Sequence, residues 1–485
     1  MHRQGIVKLP ARSAFHASVS SVTVLSSAAS ASGYTGAVKS RYTRSSVRAS
    51  QWRWVMLRFR GHCPVCLANL LRRGYPVQGY RLQMAHDPPV WRGGDAVVPL
   101  CATHHGKFED FDGLLVSLER MDQSTEAWSI DDLSAFIDSR EEQLAEHASP
   151  SCLLSRLQKL LAAHRFCSDG LVLAMCAEAQ LLRTLGDVED SYDLLLVASR
   201  LIVKCRDVRV RLECQIGRSV SGLGFPELGA NYAWSALSYI EELPRCERLV
   251  PYWCDVLQTL CDDGQLLSVS HILDDLADPL WTAELKGHAS YGNMMSYGAV
   301  VARDLAGDFR AASEGLLRSR ALSEGVDVEA YIWREANLGL LAGNEGEFER
   351  EVHCLNAASK SFESRGFSQA ARLTAFWLAQ AHFRRANAGH APDVHLAKAR
   401  RILMRQADDL TLRGRSRLLQ DTAELIDQVR RAAGEQLQDQ VRRRPCIGGG
   451  KGGLLKPPRP GSFTAREWAS KSWRALAGQR RMGRK

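Results

Sequence analysis

Four residues combine the types and the spacing of a metal-binding group. Cys63 and Cys66 form a Cys-x-x-Cys pair, Cys101 and His104 form a Cys-x-x-His pair, and 34 residues separate the two. Thiolates and imidazole are ligands that zinc prefers, and two such knuckles close a tetrahedron of three sulfurs and one nitrogen. Four protein ligands leave no open position for water or substrate. The expected Zn2+ is therefore structural, supplying folding energy to a stretch too short to build much apolar core.

Between the knuckles the chain reads "MAHDPPVWRGGDAVVPLCATHH". Taken with the preceding Cys-x-x-Cys, this resembles the HNH endonuclease family, the ββα-metal nucleases. That family has a cysteine knuckle, a strand ending in histidine, a proline and a Gly-Gly loop, then a strand running into Leu-Cys-x-x-Cys-His. The matching positions are His86, Pro88, Gly93, Gly94, the run Val97 to Leu100, Cys101, His104 in place of the second cysteine, and His105 as the final histidine. The resemblance covers residues 63–110 and implies hydrolysis of phosphodiester bonds, with DNA the expected substrate. It makes His86 the general base, since imidazole titrates near neutral pH and can take the proton of an attacking water. It makes His105, in the first turn of a helix starting near Cys101, a ligand of a catalytic divalent cation, Mg2+ or another. Glu109 follows four residues later, on the same helix face, and is expected as a second ligand. Arg92 and Lys107 are the expected phosphate contacts. Two positions depart from the pattern. Ala85 stands where the family often has an acid or histidine before the base, and Ala96 where it has the asparagine that orients the base. Asp87 and Asp95 are the candidates to substitute for them.

The elements that must carry this group are small, whereas most of the chain is helical. Residues 56–122 hold the module in short runs rich in Cys, His, Gly, Pro and aromatics, and 123–150 read as a helical linker ending in Ala-Ser-Pro. From 151 to 437, segments such as "LVLAMCAEAQLLRTLGD" and "AARLTAFWLAQAHFRRA" repeat apolar residues at i, i+3, i+4 and i+7, the period of amphipathic helix. Turn glycines at Gly186, Gly224, Gly264, Gly307, Gly343 and Gly389 lie 38, 40, 43, 36 and 46 residues apart. Three turns share one form, "LGDVEDSYDLL", "AGDFRAASEGLL" and "AGNEGEFEREVHCL". A helix-turn-helix unit repeating at that interval is the mark of an α-solenoid. It looks like a degenerate tetratricopeptide repeat, which implies a protein or peptide partner. Trp234, Trp253, Trp333 and Trp377 have apolar neighbours and are assigned to the core. Lone histidines such as His164, His271 and His353 are read as partly buried and satisfied. The fold class is mainly α: a zinc-stapled ββα module, then an α-solenoid, between disordered basic ends.

Charge separates these parts. Residues 1–86 contain 13 Lys and Arg and no acid, and residues 441–485 contain 13 against Glu467 alone. The chain's net +9 therefore conceals a middle of net −16, which will not track nucleic acid along its length. Residues 1–55, rich in Ser, Ala and Arg, read as a disordered basic arm. The same composition fits an organellar transit peptide, or sequence upstream of a start near Met56. Residues 438–485 read as a flexible Gly/Pro-rich basic tail. No uncharged apolar run is long enough to span a membrane. The 13 cysteines, mostly single in apolar runs, indicate a reducing compartment, and the cytoplasm is expected. The leading expectation is a metal-dependent HNH-type endonuclease whose repeats bind a protein partner. Its competitor is a non-catalytic zinc-stapled interaction scaffold or regulator built on the repeats.

Overall fold

Glycine sets the rhythm of the helical region. The computed structural model describes residues 49–87, 96–105, 149–277, 290–325, 327–413 and 416–443, and among the stretches between them Leu133, Ala135, Ile137, Leu285, Lys286 and His288. Six pairs of helices follow one another: α5 (Ser168–Leu185) with α6 (Val188–Ala198), α7 (Arg206–Gly222) with α8 (Pro226–Ile240), and α9 (Val250–Asp262) with α10 (Leu266–Leu276). The others are α11 (Tyr291–Asp304) with α12 (Phe309–Ser323), α13 (Val328–Asn344) with α14 (Phe348–Ser364), and α15 (Ser368–Asn387) with α16 (Pro392–Arg413). Helix α4 (Pro150–Ala163) precedes them and α17 (Arg417–Arg443) follows. The first helix of each pair packs on the first helix of the next, from α5 through to α15. This is a helical-repeat solenoid.

At the turn inside each pair sits a glycine with positive φ, at 186, 224, 264, 307, 346 and 389. At Gly186 its amide donates to Arg183 O and the next amide to Leu182 O, closing the last turn of α5 with bonds that need the left-handed conformation. The fifth turn corrects the sequence reading. Gly343 lies inside α13, and Gly346 makes the turn, so the last two spacings are 39 and 43 residues. Gly343 has a different task. A Cβ there would collide with the carboxylate of Glu351, a buried acid paired with Arg384.

The core is a series of apolar clusters along the array. One unites α7 to α11 around Ile240, Trp253, Leu257 and Met294; another unites α15 to α17 around Phe376, Leu403, Leu410 and Ile426. Trp253 is core as expected, and Trp333 and Trp377 meet edge to face, 5.7 Å between centroids. Trp234 is not core: it is 40% exposed, with its indole N–H donating to Gln265 Oε1 at 3.0 Å. His271 and His353 are exposed, whereas His164 is partly buried.

The small module precedes the array. It comprises α1 (Ala49–Arg58), α2 (Pro64–Arg73), an antiparallel pair of strands β1 (Leu82–Asp87) and β2 (Ala96–Cys101), and the single turn α3 (Ala102–His105). Its boundaries shift from the sequence reading. Helix α1 starts at Ala49, inside the expected arm, and α17 runs to Arg443, into the expected tail. Within the expected linker, Leu133, Ala135 and Ile137 are helical. Residues 1–48 and 444–485 lie outside the described residues. Among the described residues no helix is long and apolar enough to cross a membrane.

A pair of histidines joins α15 to α16. The Nδ1 atoms of His382 and His395 lie 3.0 Å apart, one ring donating to the other, with Phe348 edge-on to both. Burial, with His395 and Lys398 beside it, pushes His382 down to about 4. A histidine with a lowered folded pKa binds fewer protons folded than unfolded. Its contribution is intact above the ordinary histidine value of about 6.5 and lost as pH falls from there toward 4. Urea unfolding should therefore show a loss of up to about 3 kcal/mol over that interval, relative to a His382→Gln variant with a flatter profile. The turns offer a second test. Gly186→Ala meets both a positive φ of 93° and the Arg372 guanidinium, whereas Gly264→Ala meets a positive φ of 76° with nothing within 4 Å. We expect Gly264→Ala to lower stability by about 1 kcal/mol and Gly186→Ala by at least twice that; equal losses would mean that the space at Gly186 is not limiting.

Candidate metal centre and its docking node

The four residues fit to ligate a metal come from the two ends of the ββα segment. Cys63 occupies the N-cap position of α2, with Pro64 in the first turn, where a missing N–H costs nothing. Cys66 lies one turn on, so both thiols share a face. Cys101 is the last residue of β2, so the helix begins one residue later than the sequence implied, and His104 falls within that turn. Antiparallel pairing of Leu82 with Cys101 brings the end of β2 beside the start of β1.

The four side chains converge. Their ligand atoms all lie within 4.8 Å of one another, and the three cysteines are buried. His104 Nδ1 is 3.4 Å from Cys63 Sγ, 3.4 Å from Cys66 Sγ and 3.2 Å from Cys101 Sγ, while Cys66 Sγ and Cys101 Sγ are 3.9 Å apart. Zinc bonds of about 2.3 Å to sulfur and 2.0–2.1 Å to nitrogen give a tetrahedron with edges of about 3.5–3.8 Å. The group fits that size. Its protonation fits as well. Hydrogen bonds from Cys63 and then Cys66 hold Cys101 far below an ordinary thiol, while their bonding with Cys101 pushes Cys63 and Cys66 up. Protons shared among three crowded sulfurs are what a divalent cation displaces on binding. Gly79, which the sequence reading did not single out, makes room: a Cβ there would lie 2.6 Å from Cys101 Cβ.

The groups assigned to catalysis are placed only in part. The strand register sets His86 opposite Val97, Asp87 opposite Ala96, and buried Ala85 opposite Val98. His105 is exposed at the end of α3. The side chains of His86 and Asp87, and the whole of Arg92, Asp95, Lys107 and Glu109, lie outside the described residues. Among the described residues, the three cysteines and His104 are the one group of three or more potential ligands close enough to share an ion.

Next to the metal group lies a polar node that sequence reasoning missed. Glu178, midway along α5, is fully buried. Its Oε2 accepts from His62 Nε2 at 2.8 Å, and its Oε1 accepts from Tyr80 Oη at 3.0 Å and Gln158 Nε2 at 2.8 Å. Gln158 also donates to Tyr80 Oη at 2.7 Å and accepts from the Val77 amide at 3.3 Å. The other nitrogen of His62 donates to Arg60 O at 2.6 Å, so both ring nitrogens face oxygens. Burial works against charge on both partners. Mutual attraction outweighs it, holding His62 above the ordinary histidine value and Glu178 below the ordinary carboxylate value. Arg60 and Gly61 both adopt positive φ just before His62, turning the chain into the pocket, and Arg60 Nε donates to His164 O at 2.6 Å. His62 adjoins Cys63 and Tyr80 adjoins Gly79, so the node locks the metal-binding module onto α4 and α5. The available signal was Glu178 itself, one acid within the apolar run "LVLAMCAEAQLL".

No family model matches the chain, and no curated protein matches it. Two solved structures resemble it over much of its length. The Rap protein complexed with competence and sporulation factor is 12% identical, with a TM-score of 0.43 over 67% of this chain and 93% of that one. BtubC (BKLC) from P. vanneervenii is 13% identical, with a TM-score of 0.20 over 70% of this chain and 98% of that one. At these values neither likeness decides the fold, which rests on the helix packing described above. The class the molecule itself defines is a helical-repeat protein with a Cys3His group, fit to hold a structural metal ion, fastened to its first repeat.

Removing one partner of a buried ion pair strands the other charge, which costs about 3–5 kcal/mol. Glu178→Ala should lower stability by that amount in urea unfolding and make residues 49–105 the first part cut by protease. A loss below about 1 kcal/mol would mean that the node does not hold the module.

Proposed function

We propose that this chain is a metal-dependent endonuclease of the HNH type, probed against DNA first, whose repeat array receives a protein or peptide partner. The observation that carries this reading is the order and register of the module. A cysteine knuckle is followed by a strand with His86 near its end, an antiparallel return strand into Cys101, and a helical turn bearing His105. In this reading the imidazole of His86 accepts the proton of the water that attacks phosphorus. His105 and Glu109 would hold one divalent cation, which supplies positive charge for the phosphate oxygens. Arg92 and Lys107 would neutralise the flanking phosphates, with Asp87 or Asp95 orienting His86.

For the array, support for a protein partner comes from polar side chains along its first helices. Arg218 on α7 is half-buried beside Asp255 and Asp262 on α9, and Gln258 donates to Asp262 at 2.9 Å. Such a strip can exchange internal hydrogen bonds for bonds to a peptide backbone. The acidic middle of the chain argues against nucleic acid on this surface.

The competing reading is a non-catalytic scaffold stapled by zinc, and Ala85 favours it. That position lies in the buried face of β1 and offers no ligand beside the proposed base.

Incubating the full chain with supercoiled plasmid and Mg2+, Mn2+ or Ni2+ decides between them. The nuclease reading expects metal-dependent nicking that falls at least about 100-fold in His86→Ala, the usual worth of a general base. No nicking with any of the ions, from protein that contains about one zinc per chain, would leave the scaffold.

A further inference from the structure

The far end of the array returns to its beginning. Helix α15 packs against α5, and α17 against α7, so the sixth pair of helices meets the first. The meeting runs along successive turns. Gly366, before α15, sits where a Cβ would lie 3.3 Å from Ser149 Cβ, at the start of α4. At Gly186, Arg372 Nη1 donates to Leu185 O at 3.1 Å, and a Cβ would run into its guanidinium. Asp187 Oδ1 accepts from Arg413 Nη1 at 2.9 Å. At Gly224 a Cβ would lie 3.1 Å from Gln420 Oε1, and at the end of α9 the Asp262 carbonyl accepts from Arg417 at 3.4 Å.

The chemistry of this seam differs from that of the repeats it joins. Neighbouring helices are held by apolar clusters, and the cluster uniting α15, α16 and α17 draws all its members from those three helices. Along the seam runs a chain of alternating charge, Asp187–Arg413–Asp409–Arg372, of which the Asp187–Arg413 pair makes the crossing. Asp187, Arg413 and Asp409 are 27%, 28% and 45% exposed, so water and salt reach them. The local backbone forgoes something for this contact. Asp187 stands at the N-cap of α6, yet makes no cap hydrogen bond, whereas Asp308 and Asp327 in the same position cap α12 and α13. The carboxylate of Asp187 faces Arg413 instead.

We propose that α15–α17 form a detachable clasp, closing the array onto its own first turns through the Asp187–Arg413 ion pair and arginine bonds to backbone carbonyls. The three helices share an apolar cluster of their own, which stays with them when the seam parts.

Hydrogen exchange on the full chain tests this without substrate or partner, so its outcome is independent of nuclease activity. The samples are the unmodified protein, Arg413→Glu, Asp187→Arg and the double exchange of charges. Arg413→Glu should speed exchange about tenfold in residues 182–191, 220–228 and 405–425, leaving α11 to α14 unchanged. The charge-swapped double variant should restore slow exchange, and raising salt from 50 mM to 1 M should loosen the same segments in the unmodified protein. Unchanged exchange at the seam in Arg413→Glu would overturn the proposal. So would acceleration throughout every helix, which marks a contact needed for folding, or failure of the double variant to recover.

Discussion

A carboxylate shut away from water holds the two parts of this molecule together. Glu178 lies in the apolar interior of α5, where an isolated negative charge would be driven to protonate. It stays charged because His62, Tyr80 and Gln158 place donors on both of its oxygens. The same constraint fixes the path of residues 60–62, the approach of β1 through Tyr80, and the packing of α4 through Gln158. An apolar interface of equal size could hold the module as strongly but would tolerate small slips. A buried charge with three fixed neighbours admits one position.

Where the sequence was informative, the informative residues lay close together. The Cys-x-x-Cys and Cys-x-x-His pairs each span a single turn, and only one long-range fact, the pairing of β1 with β2, was needed to bring them together. The solenoid was legible because helical periodicity and glycine turns are local. What escaped was set by residues far apart. His62, Tyr80, Gln158 and Glu178 carry no common pattern, and a histidine beside a knuckle reads as unremarkable. Gly343 and Gly346 are indistinguishable in "AGNEGEFER" until Glu351 is seen to fill the space beside Gly343. Trp234 failed for the opposite reason: its neighbours in sequence are apolar, but its indole faces outward beside Gln265.

The array and the module answer to different physics. The repeats are stabilised by stacking, each pair covering the apolar face of its neighbour, so their stability is spread along the chain. The module has a small core around Met56, Leu67, Leu70 and Leu100, and meets the array through the Glu178 node, the Arg60 bond to His164 O and Arg200 over the Trp52 ring. A functional reading of the module thus depends on a few atoms, and a reading of the array depends on its surface.

The separation along the chain between contacting residues has a consequence for biosynthesis. His62 meets Glu178 across 116 positions, and Asp187 meets Arg413 across 226. On the ribosome, the cysteine knuckles emerge well before the helix that anchors them, and the first repeats stack before the last exist. The metal group must therefore persist for a time undocked, with His62 open to solvent, and the seam is completed only when nearly all of the helical region has been made.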